Sequence, residues 1–172
     1  EGDGRYNANR LNDGKVDRVG RFWCGSMQDP GHEPVGTLYR MDTDRTVHSL
    51  VEGIRVPNAL CWSPDNRIMY FADTFAGCIW AYDFDLATGA MENRRVFAQA
   101  SDDGGYQDGA TVDADGFVWN AHIFAGRLVR YDPHGQIERE IEVPTSQVTS
   151  CAFGGPDLNT LYITTASMRM NR

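Results

Sequence analysis

A turn-and-strand motif that occurs four times constrains the fold of this chain more than any other feature. A cluster of Asp, Gly, Ser, Pro or Asn stands next to an apolar run in "DRVGRFWCGS", "SPDNRIMYFADT", "DADGFVWNAH" and "GGPDLNTLYITT". Aligning the copies puts four aromatic residues in register, separated by 47, 49 and 43 residues: Trp23, Tyr70, Trp119 and Tyr162. Self-similarity at such a period indicates one structural unit used repeatedly.

Each period contains further strand-like segments and no helical pattern. A second strand recurs as "GTLYRMD", "GCIWAYD" and "GRLVRYD", and more strands follow in "VHSLVEGI", "RRVFAQA" and "EREIEV". About four short antiparallel strands per period are typical of a β-propeller blade, whose two apolar faces only neighbouring blades can cover. A β-sandwich would show evenly spaced strands without this long-period repeat. The sequence therefore predicts an all-β propeller, and its 172 residues amount to about four blades at about 45 residues each.

Composition excludes several classes of partner. The net charge of −8 argues against nucleic acid, because affinity for phosphates depends on clustered Lys and Arg. No apolar run approaches the roughly 20 residues of a membrane span, and the first residues of this sequence do not show the charged-then-apolar pattern of a signal peptide. We expect a cytoplasmic protein without nucleic-acid or membrane partners. The four cysteines show no CxxC spacing and are predicted to be buried reduced thiols rather than a disulfide or a zinc site.

A polar residue stands at one equivalent step before each turn motif. Counting back five residues from the first residue of each turn gives Asn12, Asn58, Asp108 and Thr149. If the strand before the turn is the innermost of its blade, these residues lie at the mouth of the central channel. The inner strands are then predicted to begin immediately after them, near Asp13, Ala59, Gly109 and Ser150.

The first three of these residues are candidates for a metal site. Asn and Asp are also ordinary turn residues, but turns need no oxygen at the same step of three consecutive blades. Oxygen ligands of mixed charge suit Ca²⁺, Mg²⁺ or Mn²⁺. Zn²⁺ stays open as an alternative, although His or Cys would be commoner companions.

Long collinear motifs resemble a known family. They are "RLNDGKVDRVGRFWCGSM", "VPNALCWSPDNRIMYFADT", "YDFDLATGAMENRRVF", "QDGATVDADGFVWNAH", "GRLVRYDPHGQ" and "TSCAFGGPDLNTLYITTA". Between about Arg10 and Ala166 the chain is similar to the senescence marker protein, regucalcin and gluconolactonase family. The resemblance implies a six-bladed propeller that holds a divalent cation on its axis and hydrolyses sugar lactones.

The resemblance also implies roles for residues of the channel. It makes Asn58 of "PNAL" and Asp108 of "QDGA" metal ligands, with Asp108 as the general base. It assigns Arg10 and Asn12 of "RLND" to the sugar hydroxyls, with Asn12 also a candidate to reach the metal through water. An acidic substrate contact is expected in "GSMQDPGHEPVG", where Glu33 is the first candidate and Asp29 the second.

The chain departs from the family pattern at both ends. The family's metal site uses a glutamate of the first blade, and no segment before Arg10 matches it. The family's closing strand motif after "TTA" is likewise absent from this sequence. We therefore expect residues 1–172 to form a single partial propeller domain, a fragment without the first blade and the closing strands.

The predicted function is metal-dependent hydrolysis of sugar lactones to aldonic acids. Two alternatives stay open: a non-catalytic calcium-binding or partner-binding propeller, and a metal-dependent organophosphate or ester hydrolase. Arg10 beside Asn12 favours a substrate site, because binding a bare cation requires neither. Arg10 could instead form an ion pair with Asp13 or another local carboxylate.

Overall fold

The computed structural model describes residues 9–99 and 105–167, which form four antiparallel sheets. The first sheet contains β1 (Asn9–Val16), β2 (Phe22–Gln28), β3 (Gly36–Met41) and β4 (Val47–Ile54). The second contains β5 (Pro57–Trp62), β6 (Ile68–Asp73), β7 (Cys78–Asp85) and β8 (Ala90–Gln99). The third contains β9 (Tyr106–Val112), β10 (Val118–Ile123), β11 (Arg127–Tyr131) and β12 (Ile137–Glu142), and the fourth contains β13 (Val148–Gly154) and β14 (Thr160–Thr165). Within these ranges the only helical element is a 3₁₀ turn, η1 (Thr74–Ala76).

The sheets are successive propeller blades, as the sequence predicts. Within each sheet the strands are neighbours in chain order. The first strands of consecutive sheets contact one another, β1 with β5, β5 with β9 and β9 with β13. These four strands are therefore the inner strands, and the channel runs between them.

The predicted register of the aromatic residues is confirmed. In every blade the aromatic residue pairs with the residue two positions before the turn motif: Trp23 with Lys15, Tyr70 with Cys61, Trp119 with Thr111 and Tyr162 with Ala152. The paired residues are eight, nine, eight and ten positions apart, so the turns differ in length while the aromatic residue keeps the same partner position in all four blades.

The apolar core lies between the blades. Blades one and two enclose a buried cluster that includes Trp23, Leu38, Met69 and Phe71. The second and third blades enclose another around Tyr70, Ile79, Val118 and Tyr131, and the third and fourth enclose a smaller one around Trp119 and Leu128. Burial between sheets removes apolar surface from water and fixes each blade against the next.

A largely buried aspartate joins the turn to the strand in two of the blades. Asp17 accepts hydrogen bonds from the Trp23 indole Nε1 (2.9 Å) and from Nε of Arg21 (2.7 Å). Asp113 accepts the same bond from Trp119 Nε1 (2.9 Å) and is paired with Arg130. In both blades the carboxylate at the start of the turn therefore fixes the turn to the tryptophan of the next strand.

The cysteines agree with the compositional expectation. Cys24, Cys61, Cys78 and Cys151 are buried free thiols. No helix among the described residues has the length and apolar character to cross a membrane.

Candidate active site

The polar residues of the channel lie inside the inner strands, which corrects the predicted strand starts. The inner strands begin at Asn9, Pro57, Tyr106 and Val148, two to four residues before the predicted positions. Polarity alone suggested that each strand starts after its Asn or Asp. The structure instead extends each strand through that residue, because backbone pairing continues on both sides of it.

A β-bulge occurs at this step in all four inner strands. In β1 the residues Asn12 and Asp13 together face one residue of β2, and in β9 Asp108 and Gly109 together face one residue of β10. The register slips directly after Asn58 in β5 and at Thr149 in β13. Bulges redirect side chains and are common beside active sites. In the fourth blade the Thr149 hydroxyl lies 2.9 Å from the Thr164 hydroxyl of the same blade, so the site is built from the first three blades only.

Three of the predicted residues meet at the axis. Asn12 Nδ2 lies 3.2 Å from the Asn58 amide oxygen and donates to the Pro57 carbonyl oxygen at 2.9 Å. The same end of the Asn58 amide lies 3.0 Å from Asp108 Oδ1 and 3.1 Å from the Pro57 oxygen. The structure therefore brings Asn12, Asn58 and Asp108 into one polar cluster, where Asn58 is buried.

Burial controls the charge of Asp108. Removal from water raises the pKa of its carboxyl to about 7, the Gly109 backbone N–H opposes this shift, and the nearby Asp13 carboxylate adds to it. A carboxyl group with such a pKa exchanges its proton near neutral pH. This is the property that a general base requires.

Asp13 is a second acidic group of the channel, which the sequence analysis did not identify as part of the site. Its Oδ2 accepts a hydrogen bond from the Leu60 backbone nitrogen at 3.0 Å, and burial raises the pKa of its carboxyl. Nearby, Lys15 Nζ donates to the Ala110 carbonyl oxygen at 2.7 Å. The "ND" pair in "RLNDG" could have indicated Asp13, but only with knowledge of the bulge that places both residues opposite one partner.

Thr74 is another group that sequence reasoning missed. It lies at the start of η1 and is buried. Its hydroxyl oxygen lies 2.7 Å from the terminal atom of the Asn58 amide that points away from Asp108, and 2.9 Å from the Gln107 carbonyl oxygen. Thr74 therefore links the second inner strand to the third behind Asn58.

Arg10 sits at the exposed edge of the cluster. Its Nη1 donates to Asn12 Oδ1 at 2.8 Å, and its Nε is paired with the Asp29 carboxylate. Asp29, the second of the two acidic candidates, is thus placed beside Arg10. Glu33 is exposed, and its backbone nitrogen donates to Gln28 Oε1 at 3.2 Å, so its substrate contact stays a prediction.

The donor set fits a hard cation. When the amide oxygen of Asn58 points inward, it lies 3.0 Å from Asp108 Oδ1 and 3.1 Å from the Pro57 carbonyl oxygen. Such oxygens repel unless a cation or the proton of a neutral carboxyl lies between them, and amide, carboxylate and carbonyl oxygens are the ligands that Ca²⁺ and Mg²⁺ prefer. Across residues 9–99 and 105–167, no group of three or more His, Cys, Asp or Glu side chains could hold a metal, so the amide is needed for such a site.

Fold and site together define a β-propeller whose inner strands bring amide and carboxylate groups to the axis. The family described as SMP-30/Gluconolactonase/LRE-like region matches residues 1–167. The chain belongs to this family.

Three relatives illustrate the membership. A pentonolactonase of Haloferax volcanii is 41% identical over 157 residues, which cover 91% of this chain and 53% of that protein. A 6-deoxy-6-sulfogluconolactonase of Pseudomonas putida is 41% identical over 165 residues, covering 95% of this chain and 55% of that protein. The crystal structure of a calcium-binding protein, regucalcin, from Agrobacterium tumefaciens superposes with a TM-score of 0.91 at 34% identity, covering 95% of this chain and 56% of that one. The chain thus spans about half the length of the relatives it matches.

Proposed function

We propose that the complete protein containing these blades hydrolyses sugar lactones to aldonic acids, and that Asn58 and Asp108 hold a divalent cation for this reaction. The observation that carries the proposal is the partly buried Asp108, with its pKa raised to about 7, beside Asn58 and Asn12. The relatives named as a pentonolactonase and a sulfogluconolactonase support the substrate class.

Asp108 is the proposed general base. A cation in this site would act as a Lewis acid on the lactone carbonyl and lower the pKa of water. Asp108 accepts a proton from the water that attacks the carbonyl carbon. The bond between that carbon and the ring oxygen then breaks, the ring oxygen takes up the proton that Asp108 accepted and becomes a hydroxyl group, and the aldonic acid leaves with Asp108 again a carboxylate.

Arg10 and Asn12 are proposed to orient the sugar. Arg10 is half exposed while its guanidinium is held by Asn12 and Asp29, so its position is fixed and its remaining N–H groups can donate to hydroxyl oxygens. Such contacts contribute orientation rather than bond breaking. Glu33 is proposed as a further acceptor for a hydroxyl group from the loop between β2 and β3.

A non-catalytic calcium-binding propeller is the second candidate function. The solved regucalcin is described as a calcium-binding protein, and the same amide and carboxylate oxygens suit Ca²⁺ without any reaction. Activity measurements separate the two candidates.

The test is a hydrolysis assay on the complete protein after chelation and after addition of Ca²⁺, Zn²⁺, Mg²⁺ or Mn²⁺. Acid release from a hexonolactone and a pentonolactone should vanish on chelation and return with at least one cation. Asn58→Ala should weaken cation binding and reduce hydrolysis, and Asp115→Ala, at an exposed turn, serves as the control. Hydrolysis that survives chelation would reject the metal, whereas tight Ca²⁺ binding without lactone hydrolysis would favour the binding function.

A further inference from the structure

Thr74 forms a fixed support behind the Asn58 side chain. The threonine is 7% exposed and Asn58 is 4% exposed, so neither can exchange its partner freely for water. The hydroxyl oxygen lies 2.9 Å from the Gln107 carbonyl oxygen and 2.7 Å from the terminal atom of the Asn58 amide that faces away from Asp108. Both contacts are within hydrogen-bond distance.

The direction of these two hydrogen bonds is determined by chemistry. A carbonyl oxygen can only accept, so the hydroxyl donates its one proton to Gln107. The Thr74 oxygen can then only accept from Asn58. The amide nitrogen must therefore point toward Thr74, and the amide oxygen must point toward the axis.

The opposite orientation of the amide has a different set of partners. The nitrogen would donate to Asp108 Oδ1 at 3.0 Å and to the Pro57 oxygen at 3.1 Å, and the amide oxygen would accept from Thr74 at 2.7 Å. That arrangement would take the hydroxyl proton from the Gln107 carbonyl and would put the Asn58 nitrogen 3.2 Å from the Asn12 nitrogen. It would also turn an N–H group, which binds no cation, toward the axis.

We propose that Thr74 is a positioning residue of the cation site: by donating to the Gln107 carbonyl and accepting from Asn58, it holds the Asn58 amide oxygen in the orientation that a cation requires. This inference rests on the proposed function, because it presupposes that Asn58 is a ligand. Partners behind a ligand orient it, and their loss typically lowers metal affinity about 10- to 100-fold.

The test compares three variants of the complete protein. Thr74→Val removes the hydroxyl at nearly constant shape, and Thr74→Ser keeps it. Thr88→Val is the matched control, because its exposed hydroxyl donates to Asp85 at 3.0 Å in a turn of the second blade. Calorimetric titration with Ca²⁺ and with Mn²⁺ gives the affinity, and denaturant unfolding of the cation-free protein gives the stability.

We expect Thr74→Val to bind about 10- to 100-fold more weakly, while Thr74→Ser and Thr88→Val bind as the unsubstituted protein does. Lower stability of Thr74→Val with unchanged affinity would show a merely structural role and overturn the inference. Cation binding that survives Asn58→Ala unchanged would instead reject Asn58 as a ligand, and with it the proposed metal site.

A second measurement does not depend on the folding of any variant. In the cation-loaded unsubstituted protein, NMR contacts should place the Asn58 amide protons beside the Thr74 methyl group rather than beside the Asp108 β-protons. The reverse pattern would overturn the inference even if every affinity changed as expected.

Discussion

Asp108 combines two roles that a single substitution can separate. Its carboxylate is both a proposed ligand and the proposed base. In Asp108→Asn the amide can still offer an oxygen to the cation but cannot take a proton from water. We expect turnover with saturating cation to fall about 10²- to 10⁴-fold, and cation affinity to fall by much less.

The measurement for Asp108→Asn is the turnover number at saturating cation, with the affinity determined separately on the same preparation. Normal turnover in the saturated variant would reject Asp108 as the base and leave its ligand role intact.

The pH dependence of cation binding follows from the same carboxyl group. Burial raises the pKa of Asp108 from 3.8 to about 7, so below this value a proton competes with the cation. Apparent affinity should fall by about tenfold per pH unit below pH 7 and level off above it. In the cation-free protein the neutral carboxyl stabilises the fold below pH 3.8, and this contribution is lost as the pH rises through about 7.

Calorimetric measurement of cation affinity from about pH 5.5 to about pH 8.5, on both sides of the raised pKa, checks this expectation. Asp108→Asn is the control, because it has no proton to exchange and should bind with a much flatter pH profile. A similar slope in both proteins would assign the pH dependence to another group.

At the residue scale, the sequence predicts only those residues of the site that occupy the repeated position of the motif. Asn12, Asn58 and Asp108 occupy the same position in three of the four aligned motifs, so counting along the sequence finds them. Asp13 has no acidic counterpart, and Thr74 has no hydroxyl counterpart, at the same step of the other motifs. Asp13 is placed by the bulge in β1, and Thr74 is placed by η1, which follows β6. Their contacts depend on three-dimensional packing that the spacing of residues does not contain.

At the element scale, the buried aspartate of the turn motif is predicted to stabilise its blade. Asp113 accepts from the Trp119 indole and from Arg130, and its side chain is 15% exposed. Asp113→Ala leaves the buried indole N–H and the guanidinium without this partner. We expect a loss of about 2–4 kcal/mol in the free energy of unfolding.

Asp115→Ala is the matched control for that loss. Asp115 lies two residues away, approaches the same Arg130 at 3.8 Å and is 81% exposed, so its removal should cost less than about 0.5 kcal/mol. Denaturant unfolding of the two variants measures the difference. Equal losses would show that the aspartate of the turn does not support the blade.

Strand pairing was predictable from the sequence, whereas strand starts were not. The aromatic residue of each motif pairs with the same position of its inner strand, as the alignment predicts, although the turns between them differ in length. The starts were misjudged because Asn and Asp are common in turns, and a bulge lets the strand continue through them. The preference of Asn and Asp for turns is an average over many proteins. The bulge is an exception to it, because it keeps these residues inside a strand.

At the scale of the whole molecule, the first blade carries an exposed apolar row. The row crosses all four strands as cross-strand neighbours, namely Val16, Phe22, Met41 and Val47, and each of its members is at least 36% exposed. Propeller blades are apolar on both faces because neighbouring blades cover them. We infer that a further blade covers this row in the complete protein.

The substitution Met41→Lys tests whether a further blade covers the apolar row. In the 172-residue chain alone it should reduce binding of a hydrophobic dye and leave the unfolding midpoint unchanged. In the complete protein it should lower the free energy of unfolding by about 1–3 kcal/mol, because the ammonium group would be buried without a partner. Equal effects in both proteins would show that nothing covers this face.

The isolated chain should also bind cations weakly and show little lactonase activity. Among the described residues Asn58 and Asp108 are the proposed ligands, and the family resemblance implies a further glutamate from another blade. Parallel calorimetry and lactone assays on the chain and on the complete protein measure the difference. Full activity in the isolated chain would contradict the need for more blades.

The repeated bulge makes the chemistry of the axis separable from the fold. The register slip is a property of the backbone in each inner strand, and the side chain at that step differs from blade to blade: an amide at Asn12 and Asn58, a carboxylate at Asp108 and a hydroxyl at Thr149. The four side chains at this step belong to none of the apolar clusters that hold the blades together, although residues next to them do. A single substitution can therefore change the charge or the ligand type at the axis while the blades assemble as before, and a propeller of this kind can acquire a new cation or substrate one blade at a time.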